Sequence, residues 1–190
     1  KLRLKKPDGC AQTAMLGLYA DTGGFAYDNK RHSDTFKLAD ELVSEGAKIE
    51  EVKDALNQFS DDDMNVFAEL AQNTSHEADY NYSFLRDEFV NDWLESGKTA
   101  AELHKGTEGF INNFLRSIGG RKWGFVVYKS ILRGEDMYSI SFRAIGGVKD
   151  VSVIAARLNG GGHKPSAGGN VQAPDIHEAI QKVQKAISNS

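Results

Sequence analysis

The sequence predicts an α/β chain in two parts, and three observations predict it. Apolar residues recur at helical spacing between residues 33 and 71. After a polar break, two segments alternate apolar and polar residues with the period of a strand. A helix, a glycine-rich segment and a strongly amphipathic helix then close the chain.

Residues 11–20 form a short apolar run into Asp21-Thr22-Gly23-Gly24-Phe25, which predicts a buried helix or strand ending in a sharp turn. A helix is expected from Ser33, with Phe36, Ala39, Leu42 and Val43 on one face and Gly46 as its stop. Ile49, Val52, Leu56 and Phe59 mark a second helix. Ser60 opens a third, with Asp61, Asp62 and Asp63 in its first turn and Met64, Phe67, Leu70 and Ala71 behind them. Carboxylates there suit the helix dipole, and three consecutive residues point in different directions, so they read as a helix start rather than a metal cluster.

The polar stretch 73–79 is the expected linker between a part at 1–72 and a part at 80–190. A short strand over 80–84 and helices to Ile118 follow. Two strands come next, one with Trp123, Phe125 and Val127 on one face. The other has Tyr138, Ile140 and Phe142 on one face and Ser139, Ser141 and Arg143 on the other, with the turn near Arg133-Gly134-Glu135-Asp136. A helix over 148–158 enters the glycine-rich segment, and Ile176, Ile180, Val183 and Ile187 stripe the last helix.

Composition narrows the function. With 23 Lys and Arg against 27 Asp and Glu, the net charge of −4 argues against a binder of long nucleic acid, while a local pocket for a short anion stays compatible with it. Cys10 is the only cysteine, so there is no disulfide framework or thiolate cluster, and any metal would be held by oxygen or imidazole. No apolar run approaches the roughly 20 residues that span a bilayer, and Lys1–Lys6 lacks the start of a secretory signal, so the protein is read as cytoplasmic. The chain opens on Lys1 and reaches its first motif by Asp21, which reads as a piece of a longer polypeptide.

Two segments carry chemistry. Residues 159–169 hold Gly160, Gly161, Gly162, Gly168 and Gly169, five of the 19 glycines. Glycines let backbone approach a ligand closely, and consecutive N–H groups form an anion-binding concavity that suits a phosphate. His163 sits on this segment, where an imidazole N–H can bind a phosphate oxygen and stabilise developing charge. His32, His76, His104 and His177 have no such context and are read as structural or merely exposed. Arg143 projects from the polar face of its strand, where a guanidinium can bind phosphate bidentately or form a surface ion pair. Asp21-Thr22-Gly23 fits either a hard oxygen ligand for a metal or half of an aspartic-protease pair. The protease would need a second D-T-G in an all-β frame, and the sequence has neither.

With these residues in hand, the chain resembles the DHH phosphoesterases that carry a DHH-associated C-terminal domain, in particular the nanoRNase and phosphoadenosine-phosphate phosphatase branch. The run 16–47 resembles that family's last metal motif, and 139–169, with S-x-R followed by G-G-G-H, resembles its substrate-binding signature. The resemblance implies that 1–72 is the C-terminal helical part of a parallel-sheet metal-binding domain and 80–190 a small mixed-sheet substrate-binding domain. It implies that Asp21 acts catalytically as a ligand in a two-metal site of Mn2+, or Mg2+. Arg143, Gly160, Gly161, Gly162 and a catalytic His163 would hold the phosphate and nucleotide of the substrate across an interdomain cleft. Hydrolysis would then proceed by metal-activated water. The implied substrates are short single-stranded RNA or DNA oligonucleotides and small nucleotides such as phosphoadenosine phosphate. The motifs supplying most metal ligands, D-H-H included, are absent from this sequence. One carboxylate cannot hold two ions, so the chain alone is expected to be inactive.

Three other readings stay open at this stage: a cyclic-dinucleotide phosphodiesterase, a non-catalytic nucleotide- or single-strand-binding module, and, well behind, the protease. A homodimer is among the assembly states left open.

Overall fold

Capping residues and glycines divide the chain into its elements. The structure, a computed structural model, describes residues 6–25, 32–56, 58–131, 134 and 136–189. The His32 side chain, and Arg133 and Glu135 of the expected turn, lie outside the described residues. The chain forms two compact units, 1–58 and 59–190.

The first unit contains α1 (Cys10–Asp21), α2 (His32–Ser44) and α3 (Ile49–Leu56). Gly46 ends α2 with a φ of 100°. Its core is small: Met15, Ala39, Leu42, Ala47 and Val52. The apolar run 11–20 is the helix α1, but only Met15 on it is fully buried and Asp21 is exposed. A run apolar on all sides cannot bury more than the side that meets α2 and α3. For the same reason the expected stripes divide: Ala39, Leu42 and Val52 are buried, whereas Phe36, Val43, Ile49 and Leu56 are exposed.

The second unit begins with α4 (Asp61–Gln72), opened as expected at Ser60. The Ser60 side chain accepts from the Asp63 N–H and the Asp63 carboxylate accepts from the Ser60 N–H, a capping box. Burial would raise the Asp63 carboxyl, but the Ser60 N–H and Lys105 outweigh it and hold it below its usual range. Then follow β1 (Ser75–His76), β2 (Asn81–Phe84), α5 (Asp87–Glu95), α6 (Ala100–Asn113), a 3₁₀ turn over Leu115–Gly120, β3 (Trp123–Lys129) and β4 (Met137–Ala144). The chain closes with α7 (Val151–Ala156), β5 (Gly161–His163), β6 (Ser166–Gln172) and α8 (Ile176–Ser188).

The strands make one mixed sheet in the order β1-β2-β3-β4-β6-β5. β2 and β3 pair in parallel and the other neighbours are antiparallel. One face carries Phe125, Tyr138, Ile140, Phe142 and Val171 into a core closed by α7 and α8, with Ile176, Ile180 and Val183 of the predicted stripe buried. Each large side chain so buried contributes about 2 kcal/mol. The other face meets the helical layer over β2 and β3, where Val126 packs with Leu70, Leu103, Phe110 and Ile111, and at β4, where Arg143 bonds α6.

The compact units part between residues 58 and 59, ahead of the 73–79 break chosen from polarity. The physical reason is that Val66, Phe67 and Leu70 of α4 pack with α6, and β1 lies inside the polar stretch itself. Glu69 fixes α4 to the start of α5: its carboxylate accepts from Arg86 at 2.7 and 2.9 Å and from Asn73 at 2.9 Å. The Arg86 guanidinium holds Glu69 below the usual carboxylate range.

Candidate functional site

The sheet register builds the site. Arg143 on β4 lies opposite Ser166 on β6, and Ser166 lies opposite His163 on β5. Residues in register share a face, so the three side chains stand in one row across about 10 Å of sheet. The next row is Ser141, Gly168 and Gly161, and the one after holds Ser139 and Asn170, whose side chains bond at 3.3 Å. This face is the polar half of the alternation that buries Ile140 and Phe142 on the other side. Exposure grows toward the edge strand: Ser141 is buried, Ser166 and Gly168 are half-buried, and Gly161 and His163 are exposed.

Helix α6 walls the inner side of this floor. His104, Glu108 and Asn112 recur at a spacing of four and so form one stripe. His104 Nδ1 and the Tyr128 hydroxyl of β3 are 2.9 Å apart. Arg143 Nε donates to Asn112 Oδ1 at 3.2 Å, its Nη1 donates to the Phe142 carbonyl at 2.7 Å, and its Nη2 pairs with the Glu108 carboxylate. Burial, with the Glu108 charge behind it, pushes the Tyr128 phenol up to about 12, so near neutral pH it is a neutral hydroxyl. In sequence His104 has no motif context, and no motif marks Glu108 or Asn112. Their spacing of four on a helix was the available signal, but only the sheet shows what the stripe faces.

The glycine-rich segment is a β-hairpin rather than an open loop, and its first three glycines have different reasons. A Cβ on Gly160 would meet the Gly168 carbonyl oxygen at 2.0 Å and Gly169 Cα at 2.5 Å. A Cβ on Gly162, whose φ is 145°, would meet Ala167 Cα at 2.6 Å. Both are needed for backbone packing. Gly161 alone would meet nothing within 4 Å, and it stands on the polar face beside the Arg143 row. Space above the backbone is therefore found at Gly161 and its strand neighbour Gly168, where an added Cβ would meet at most the Ile140 carbonyl oxygen at 3.3 Å.

Asp21 lies in the first unit, exposed at the last residue of α1. The turn after it is held by Thr22, whose hydroxyl donates to the Leu18 carbonyl at 2.7 Å and accepts from the Phe25 N–H at 3.1 Å. Gly23, Gly24 and Phe25 all take positive φ. Among the described residues no three His, Cys, Asp or Glu side chains group to hold a metal. Asp21 therefore offers one ligand, and the residues described do not by themselves fit a two-metal centre. The triplet Asp61–Asp63 starts α4, as expected. A separate cleft of about 550 Å3, lined by Ala71, His76, Phe110 and Phe114 among others, has no lysine or arginine in its lining and offers no cation to a phosphate. Among the described residues no helix is long and apolar enough to cross a membrane.

Three findings place this arrangement among known proteins. A bifunctional oligoribonuclease and PAP phosphatase, NrnA, from Thermus thermophilus is 29% identical over 177 residues, covering 93% of this chain and 49% of that protein. The crystal structure of an exopolyphosphatase-related protein from Bacteroides fragilis superposes with a TM-score of 0.75 at 23% identity, covering 95% of this chain and 50% of that one. The chain thus spans about half the length of these relatives, and the second likeness speaks for the fold alone. The model of the DHHA1 domain matches residues 86–189, from the Arg86 that binds Glu69 through the Arg143 row and both core helices to the end of α8. More than half of the chain lies in that match, and the chain accordingly belongs to the DHHA1 family, the DHH-associated C-terminal domains of nanoRNase-like proteins.

Proposed function

We propose that this chain is the substrate-gripping part of a metal-dependent phosphoesterase that hydrolyses short oligonucleotides or phosphoadenosine phosphate. The observation that carries the reading is the row Arg143, Ser166 and His163 on an exposed, glycine-floored sheet face. A guanidinium and an imidazole two strands apart, with a hydroxyl between them and no bulky side chain over Gly161 and Gly168, suit a phosphate lying on the sheet. The nucleoside then runs along the α6 wall, where the neutral Tyr128 hydroxyl, His104 and Asn112 offer hydrogen bonds. The NrnA likeness supports this substrate class.

In the intact protein Asp21 would contribute one ligand to a manganese or magnesium centre completed by residues outside this chain, and that centre would supply the activated water. Within this chain, Arg143 binds and orients the phosphate, and His163 donates an N–H to the oxygen that gains charge. The protein works in the cytoplasm.

Titration of the purified chain with adenosine 5′-monophosphate tests the reading. Binding in the micromolar to millimolar range is expected, lost on Arg143→Ala and weakened on His163→Ala, with no hydrolysis of a dinucleotide even when manganese is added. Turnover by this chain alone would refute the division of labour, and unchanged binding in Arg143→Ala would refute the site. In the intact protein, Asp21→Ala is expected to abolish manganese-dependent turnover. A side-by-side assay of linear dinucleotide, phosphoadenosine phosphate and cyclic dinucleotide ranks the substrates.

A further inference from the structure

Arg143 has protein partners on all three of its nitrogens. Two of these contacts anchor it: Nη1 to the Phe142 carbonyl at 2.7 Å and Nε to Asn112 at 3.2 Å. Both acceptors are neutral. The third, from Nη2, goes to the carboxylate of Glu108, an anion on the wall of the same trough. The side chains of Arg143 and Glu108 are only 17% and 20% exposed, so the pair is less screened than an ordinary surface pair. A guanidinium has donors only, and a phosphate that grips it by its fork needs the Nη2 end that Glu108 holds.

Resting on the reading of Arg143 as a phosphate ligand, we propose that Glu108 is a resident anion of the site, which an incoming phosphate displaces. In the ligand-free protein the carboxylate occupies Nη2. On binding, phosphate takes Nη2 while Phe142 and Asn112 keep the guanidinium in place, and the Glu108 side chain moves off along the α6 edge. No bond is made or broken covalently. The consequence is attenuated affinity: the site gives up one charge-assisted contact for each it gains, so a small phosphate ligand is released readily.

This role and a merely structural one predict opposite signs. If Glu108 only positions Arg143, removing its charge weakens phosphate binding. If it competes, removing its charge strengthens binding by about tenfold, the worth of one charge-assisted hydrogen bond. Calorimetric titration of the full chain with adenosine 5′-monophosphate, and with uncharged adenosine as control, is the test. Glu108→Gln is expected to tighten the monophosphate about tenfold and leave adenosine unchanged, while Glu108→Asp, which keeps the charge, stays within about threefold of the unaltered chain. Glu108→Ala removes the same charge from a helix site and gives the same readout should the Gln variant fold poorly. Weaker or unchanged monophosphate binding in both charge-removing variants overturns the proposal. Arg143→Ala separates the two levels. If it binds as well as the unaltered chain, the phosphate reading itself fails. If it loses binding while Glu108→Gln does not gain, only the displacement fails.

Discussion

Replacing the glycines of residues 160–162 one at a time by alanine separates the two jobs they do. At Gly160 the added methyl would sit 2.0 Å from the Gly168 carbonyl oxygen and 2.5 Å from Gly169 Cα. Both are backbone atoms of β6, a strand clamped between β4 and β5, so no side-chain rotation relieves the clash. The backbone has to shift by about 1 Å to restore a normal contact. Overpacking of that kind costs about 3 kcal/mol, the upper end of what such insertions cost in cores, and lowers Tm by roughly 10 °C in a unit of this size. At Gly161 the same methyl meets nothing within 4 Å. The expected change in stability is below about 0.5 kcal/mol, but the methyl now stands on the floor beside His163. Thermal unfolding followed by circular dichroism, paired with titration of adenosine 5′-monophosphate, reads both effects. Gly160→Ala should lose stability, and Gly161→Ala should keep its Tm and lose affinity several-fold. A Gly160→Ala variant that melts with the unaltered chain would refute the close packing of the hairpin. A Gly161→Ala variant that binds normally would refute the claim that ligand lies over that glycine.

Other expectations concern what holds the frame. Arg86→Ala leaves the Glu69 carboxylate, 6% exposed, without its cation and should lower stability in urea unfolding, by less than a fully buried pair would because the guanidinium itself is half exposed to water. Glu69 and Asp63 are both held below their ordinary values. Their contribution is therefore complete above the unfolded carboxylate range of about 4 and is lost as pH falls through the lower folded values. Unfolding free energy measured between pH 7 and pH 3 should fall on the acid side, less steeply in Arg86→Ala. Tyr138→Phe removes the hydroxyl that donates to Asp87 Oδ2 at 2.6 Å, leaving a carboxylate whose Oδ1 has no hydrogen-bond partner among the described residues. A loss of about 2 kcal/mol is expected on thermal unfolding. Ser60→Ala breaks the capping box of α4 and should cost about 1 kcal/mol, with a matching loss of helical signal in the partly unfolded range.

Most of the α/β order was legible because the sheet is two-sided. β4 shows its faces in sequence, since one face is core and the other carries Ser139, Ser141 and Arg143, and β3 shows its Trp123, Phe125, Val127 side although Val126 is buried on the other. The start of α4 at Ser60 and the stripe of α8 were legible for the same local reasons. The β5–β6 hairpin was not. Its strands read G-G-H and S-A-G-G-N-V-Q, a composition with low strand propensity, and they form because backbone packs against backbone where a Cβ would not fit. The buried character expected for α1 also failed, because hydrophobicity states what a side chain favours and not whether a partner surface reaches it. Of the candidate site, the sequence singles out Arg143, His163 and the glycines, whereas Glu108 and Asn112 emerge only from the pairing of β4 with its helical wall.

The trough joins a floor that resists change to a wall that does not. Gly160 and Gly162 are fixed by contacts between main chains, and altering either disturbs the strands themselves. The α6 stripe of His104, Glu108 and Asn112, in contrast, lies beside the apolar face of a helix whose stability rests on Leu103, Phe110 and Ile111. New side chains at 104, 108 and 112 leave that packing alone, but 108 and 112 also bond Arg143 and so touch the phosphate grip. Position 104 bonds Tyr128 instead, so a preference for what accompanies the phosphate can be altered there without altering the grip, and one hairpin can serve as a common chassis for enzymes of different appetite. For an engineer, α6 is the strip on which to write a new preference.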